Sequence, residues 1–250
     1  MADVREMKKN LRSGGGRPPD PDQEWGAHMD KQRLHTRYRL ADGTLVPGVT
    51  TVLQGWGFGS QGLLGWQRKL FDRGLDPDKI RDEAGEIGTL CHQLIEDWWN
   101  ETPSDISQNG MTQYQLAEAG FYNFAHWARE SGVRKLETEV KVVSEAYRFG
   151  GSIDLIAVQD NDQGQAERIL VDYKTSKFIL ATHKIQVAAY KLAWEECHPD
   201  EPISRALVVK VGRARGQLAA YALNQTECEI ATAAFIHLRH LYDAEKVLSL

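Results

Sequence analysis

Residues 150–175 run GGSIDLIAV, then a polar insert, then ILVDYKT. Two short runs rich in β-branched residues and joined by a turn-forming stretch read as neighbouring strands of one sheet. The second, Ile169-Leu170-Val171, is apolar at successive positions, as a central strand covered on both faces must be. It ends in charge. Side chains alternate faces along a strand, so Asp172 and Lys174 share one face and Tyr173 takes the other. Asp154 arrives on the adjacent strand, behind a Gly150-Gly151 pair that permits close backbone approach. Placing such charges on apolar strands costs on the order of several kcal/mol per uncompensated ion. A cation or a substrate is needed to offset it.

The triplet suits phosphodiester hydrolysis. Carboxylates at Asp154 and Asp172, with the main-chain carbonyl of Tyr173 as a third oxygen, match a hard cation such as Mg²⁺ or Mn²⁺ that retains water ligands. Lysine beside such an ion stabilises charge building on a pentavalent phosphate, and its readily shifted pKa also lets it orient or deprotonate a water. The plainer alternative is a solvated Asp-x-Lys turn at a strand end. The apolar run and the second acid speak against that alternative.

With these residues in view, the chain resembles the PD-(D/E)XK nuclease superfamily in its RecB-like exonuclease branch. Four further stretches carry the resemblance. VPGVTTVLQGWG (46–57) is similar to the PSVTTIL motif of phage and mitochondrial members. EIGTLCHQLIEDWW (86–99) resembles the G-T-x-x-H helix that brings a histidine to the metal. LETEVKV (136–142) resembles the first acidic strand, and HKIQVAAYKLAW (183–194) the Q-x-x-x-Y helix. The resemblance implies an α/β fold with a restriction-endonuclease-like core, a mixed central sheet flanked by helices. It implies an Mg²⁺- or Mn²⁺-dependent deoxyribonuclease acting on DNA ends in recombination or repair, with phage origin as one option. Asp154, Asp172, Lys174, Gln186 and Tyr190 would be catalytic, and His92 would join Asp154, Asp172 and the Tyr173 carbonyl at the metal. A structure-specific endonuclease of the same fold and a non-catalytic DNA-binding subunit are the alternatives.

Helical spacing gives these residues their own physics. At about 100° per residue, Ile87, Leu90, Cys91, Leu94 and Trp98 form one apolar stripe. His92 falls beside Gly88, Ile95 and Trp99, either as a packed histidine or as a ligand. Gln186 and Tyr190, four apart, share a face with His183. They are the polar side of an ordinary amphipathic helix over Ile185, Ala189 and Leu192, or they hydrogen-bond the active-site lysine or DNA. Glu139 is either a third metal-shell acid or a solvated partner of Lys141.

The net charge of −5 does not advertise a nucleic-acid partner, so distribution matters more than sum. From Ile203 to Asn224 there is no acid, while Arg213 and Arg215 flank a turn between two expected strands. They either grip phosphates or form a solvated turn. Trp56 and Phe58, set among glycines, are candidates to stack on unpaired bases, with core packing as the alternative. The expected partner is DNA, with a recombinase, a single-strand-binding protein or further copies of the chain as additional options.

Three cysteines, Cys91, Cys197 and Cys228, are odd in number and widely spaced, suggesting reduced thiols. Relatives with an iron–sulfur cluster hold it with four cysteines, so no such cluster is expected. No apolar run approaches the roughly 18 residues of a membrane span, and the start lacks a signal-peptide core, which together suggest a cytoplasmic protein with no membrane partner. Residues 1–30, rich in Gly and Pro, read as a flexible tail and 31–250 as a single nuclease domain. Two short strands are expected within 36–53. Helices follow at 61–73, 86–99 and 111–131, strands at 137–144, 150–158 and 168–174, a helix at 182–196, two strands around the basic turn, and a closing helix at 226–246 capped by Asn224 or Thr226.

Overall fold

The paired apolar runs do form adjacent strands at the centre of a sheet. The computed structural model describes residues 37–55, 60–104 and 110–249. A small hairpin, β1 (Tyr38–Arg39) and β2 (Leu45–Val46), leads into three helices: α1 (Val49–Gly55), α2 (Ser60–Phe71) and α3 (Pro77–Trp99). Next come α4 (Met111–Glu130), β3 (Arg134–Ser144), β4 (Phe149–Asp160) and β5 (Ala166–Lys174). The chain finishes with α5 (Ala181–Cys197), β6 (Arg205–Val211), β7 (Leu218–Ala222) and α6 (Gln225–Leu248).

The main sheet has five strands in the order β3-β4-β5-β6-β7. All pairs are antiparallel except β5 with β6. A parallel pair needs a crossover, and α5 supplies it. Alternation along β5 feeds two cores. Leu170 packs with α1, α5 and α6 on one face, while Ile169, Val171 and Tyr173 pack with α3 and α4 on the other. Each fully buried Leu, Ile or Phe contributes about 1.5–3 kcal/mol. Phe149 of β4 and Phe235 of α6, edge to face at 4.6 Å, lock α6 onto the sheet. This is the mixed sheet flanked by helices that the sequence implies.

Two expectations are corrected. Residues 49–55 form a helix rather than a continuation of strand. Their β-branched residues favour extension, but Val49, Val52 and Leu53 recur at helical spacing and all enter the core, so packing overrides propensity. The second difference concerns α3, which begins at Pro77 instead of 86. Asp76 caps it, accepting hydrogen bonds from the Asp78 and Lys79 main-chain N–H groups, and Pro77 needs no partner at the first helical position. Asn224 is the cap of α6, accepting from Glu227 N–H. Among the described residues no helix is long and apolar enough to cross a membrane. The proposed tail at 1–30 lies outside the described residues, as do Trp56 and Phe58.

Candidate metal-dependent active site

The site opens where β4 and β5 part. Their ladder ends at Leu155↔Val171, one position short of Asp154 and Asp172. The Tyr173 main-chain N–H is thereby released, and Asp154 Oδ2 accepts it at 2.8 Å. Asp154 and Asp172 are both buried. Glu139 on β3 lies between the pairs Thr138↔Leu155 and Val140↔Ile153, level with Asp154. Its φ is +51°, a left-handed conformation that costs about 1–3 kcal/mol for a non-glycine residue. Its Oε2 accepts a hydrogen bond from Ser152 Oγ at 3.1 Å.

His92 reaches this point from α3. Its Nε2 lies 3.1 Å from the Tyr173 carbonyl oxygen. A carbonyl can only accept, so Nε2 carries the proton in this contact. In the neutral ring Nδ1 then presents a lone pair, and it stands 3.4 Å from Asp154 Oδ1. Two acceptors facing each other at that distance require a cation or a proton between them. Ligating histidines characteristically donate their second ring N–H to a carbonyl or carboxylate. One donor atom each from His92, Glu139 and Asp154 lies within 4.8 Å of the others. This nitrogen-and-oxygen donor set fits a divalent ion.

Asp172 stands beside that group with different partners. Its Oδ2 is 2.6 Å from Lys174 Nζ, and its Oδ1 accepts from Gln186 Nε2 at 3.1 Å. Gln186 donates its other N–H to the Tyr190 hydroxyl at 2.8 Å. Burial pushes the Asp172 carboxyl up, Lys174 pulls it down and Asp154 pushes it up again, leaving it at about 6. Burial also raises Asp154, but His92 in its protonated form, with a proton between Nδ1 and the carboxylate, outweighs it together with Lys174 and the Tyr173 N–H and holds this carboxyl below its usual range. Two neighbouring acids are thus driven apart, a common arrangement at catalytic centres.

Glycines make room for this packing. A Cβ on Gly150 would sit 2.3 Å from Cγ of Tyr38, and one on Gly151 would sit 2.4 Å from Cε1 of Tyr190. Gly88, one turn before His92, faces Thr175 Oγ1 closely enough that a Cβ would approach it to 3.1 Å. The strand end carrying Lys174 can therefore lie against α3.

Several of the expected site residues meet here. Asp154, Asp172, Lys174, His92, Glu139, Gln186 and Tyr190 converge, and Glu139 takes its place in the metal-capable group. Gln186 bonds Asp172 where lysine or DNA was expected. The Tyr173 carbonyl holds the His92 ring, and Asp172 lies outside the His-Glu-Asp group. Arg213 and Arg215 lie on the β6–β7 turn, each with a contact to the protein. Arg213 donates to the Ala84 carbonyl at 3.3 Å, and the Arg215 guanidinium sits 4.4 Å from the centre of the Tyr122 ring. The turn carrying them is pinned by buried Asn123, which donates to the carbonyls of Gly212, Ala214 and Gln217 and accepts from Gly216 N–H. No local pattern flags an asparagine within a helix for that task. Tyr38 was also missed as a site neighbour; burial and Glu139 raise its pKa. Its signal lay in the two glycines its ring covers, Gly48 and Gly150.

The mixed five-stranded sheet, with acids and a lysine at the point where its central strands separate, defines a nuclease of the restriction-endonuclease-like class. The profile of the PD-(D/E)XK nuclease superfamily matches residues 64–247, and this chain belongs to that superfamily. No functionally curated protein matches it in sequence. Among solved structures it is similar to the protein SSO0001, with 17% identity, a TM-score of 0.30 and coverage of 66% of this chain and 73% of the other. It is also similar to a provisionally assigned exonuclease from Eubacterium rectale, with 8% identity, a TM-score of 0.40 and coverage of 63% and 68%.

Proposed function

We propose that the protein is an Mg²⁺- or Mn²⁺-dependent exonuclease that hydrolyses phosphodiester bonds from DNA ends, working in recombination or repair. The observation that carries this reading is the convergence of two motifs on the two acids: His92 of G-T-x-x-H lies 3.4 Å from Asp154 and Gln186 of Q-x-x-x-Y lies 3.1 Å from Asp172. Those motifs are the ones by which the sequence resembles the RecB-like branch. The ion would be held by His92, Glu139 and Asp154, and when bound it supplies Lewis acidity and a water of lowered pKa.

The remaining work falls to the chain itself. Lys174, fixed against Asp172, keeps a positive charge at the rim of the acids, where it offsets negative charge developing on the scissile phosphate. Gln186 and Tyr190 hold Asp172 in place and so hold Lys174. His92, clamped by the Tyr173 carbonyl, keeps Nδ1 pointed at the shared donor space. Linear and covalently closed circular DNA incubated side by side with Mn²⁺ test the assignment. Progressive loss of linear DNA with survival of circles is expected. Equal cleavage of circles would replace the exonuclease by an endonuclease using the same residues.

A further inference from the structure

The segment joining β5 to α5, residues 175–180, leaves the active site directly after Lys174. It displays an unusual side chain. Phe178 is 63% exposed, although phenylalanine is among the residues most often buried. Its exposure is built into the loop. Ser176 Oγ donates to the Phe178 carbonyl at 2.7 Å, and His183 Nδ1 accepts the Leu180 N–H at 3.2 Å. Ile179 turns inward and packs against the core. A loop fastened on both sides of Phe178 holds the ring outward at little entropic cost on binding.

The surroundings select the occupant. From Tyr173 to Trp194 the sequence contains no acid, in a chain whose net charge is −5. Lys177 lies 5.5 Å from the centre of the Phe178 ring. Lys210 on β6 is level with Lys174 on β5, so the two side chains project from the same face about 4.8 Å apart at the backbone. Lys174 is paired with Asp172, and Lys210 adds a further positive charge to the same face, to which an anion is attracted. An exposed aromatic ring with a lysine beside it, in a segment free of acids, is the stacking arrangement of single-stranded nucleic-acid sites.

We propose that Phe178 is a stacking platform for an unpaired base of the DNA strand at the active site, with Lys177 and Lys210 beside its phosphates. The proposal rests on the DNA-end nuclease reading and adds to it a substrate class, strands unpaired at the point of cutting. Phe178 lies four residues beyond Lys174, within about 14 Å even if fully extended. That places the ring within reach of a base near the phosphate being cut.

The test is binding of a short single-stranded oligothymidylate bearing one 2-aminopurine, and of a blunt hairpin duplex, by the full chain in EDTA. Phe178→Ala should weaken single-strand binding about tenfold and abolish quenching of 2-aminopurine, as loss of one stacked base predicts. Duplex affinity should stay within about twofold, and Phe178→Trp should bind like the wild type. Unchanged single-strand affinity, or equal losses on both probes, overturns the proposal. Sedimentation of both proteins adds a further outcome: if Phe178→Ala dissolves a dimer, the ring packs against a second copy and the proposal falls. Cleavage of linear DNA by the wild type is assayed separately. Intact cleavage with unaltered binding by Phe178→Ala sinks only this inference, whereas absence of cleavage sinks the nuclease reading.

Discussion

Asp154 accepts the main-chain N–H of Tyr173 at 2.8 Å across the gap where β4 and β5 separate. A side chain here replaces a ladder hydrogen bond, so an acid of the metal-capable group also joins the two strands where their ladder ends. The Tyr173 carbonyl on the same residue fixes the His92 ring. One peptide segment therefore positions a carboxylate and an imidazole together.

Lys174→Ala should leave the fold intact, because the side chain is partly exposed at the end of β5. Turnover should fall at least about a hundredfold, the scale for removing one preorganised charge stabiliser. A DNA cleavage assay alongside a thermal melt checks both statements. Near-normal cleavage would remove lysine from the mechanism.

Glu139→Gly separates strain from function. The left-handed backbone at φ +51° suits glycine, and the substitution should leave metal-free stability unchanged or raise it by up to about 1 kcal/mol. Mn²⁺ binding should weaken sharply because a donor is gone. Calorimetric titration and urea unfolding provide the two readouts. Unaltered Mn²⁺ affinity would mean that Glu139 is not a ligand.

Gly151→Ala should destabilise the protein by about 1–3 kcal/mol, since the new methyl group meets the Tyr190 ring. The displaced ring also releases the hydroxyl that pairs with Gln186. Combining Gly151→Ala with Tyr190→Ala should give a smaller loss than the sum of the single changes, because the clash disappears with the ring. Additive losses in a double-mutant cycle would locate the damage elsewhere.

The metal-free protein should show a pH dependence traceable to Asp172. Its carboxyl is held at about 6, against 3.8 ordinarily, so the folded state binds this proton more tightly than the unfolded chain does. The associated stability is present below about pH 4 and is lost as pH rises through 6, with a ceiling of about 3 kcal/mol. Asp154, held below its usual range, contributes in the opposite sense. The comparison that isolates Asp172 is therefore wild type against Asp172→Asn, by urea unfolding in EDTA. Parallel curves between pH 4 and 6 would refute the assignment.

The strands that carry Asp154, Asp172 and Lys174, the shared face of Gln186 and Tyr190, and the helix of His92 were all legible in the residue pattern. Each follows from a local period of two or 3.6 residues together with the apolar runs on either side. The helix at 49–55 escaped because β-branched residues prefer extension until a core is present to receive them. The contacts between elements arose only on packing. That Gln186 bonds Asp172, that Arg213 turns back to Ala84, that Asn123 clamps a distant turn and that Glu139 takes a left-handed backbone all depend on which elements pack together. Long polar side chains reach several partners at similar local cost, and only the assembled sheet and helices determine which partner lies within hydrogen-bonding distance.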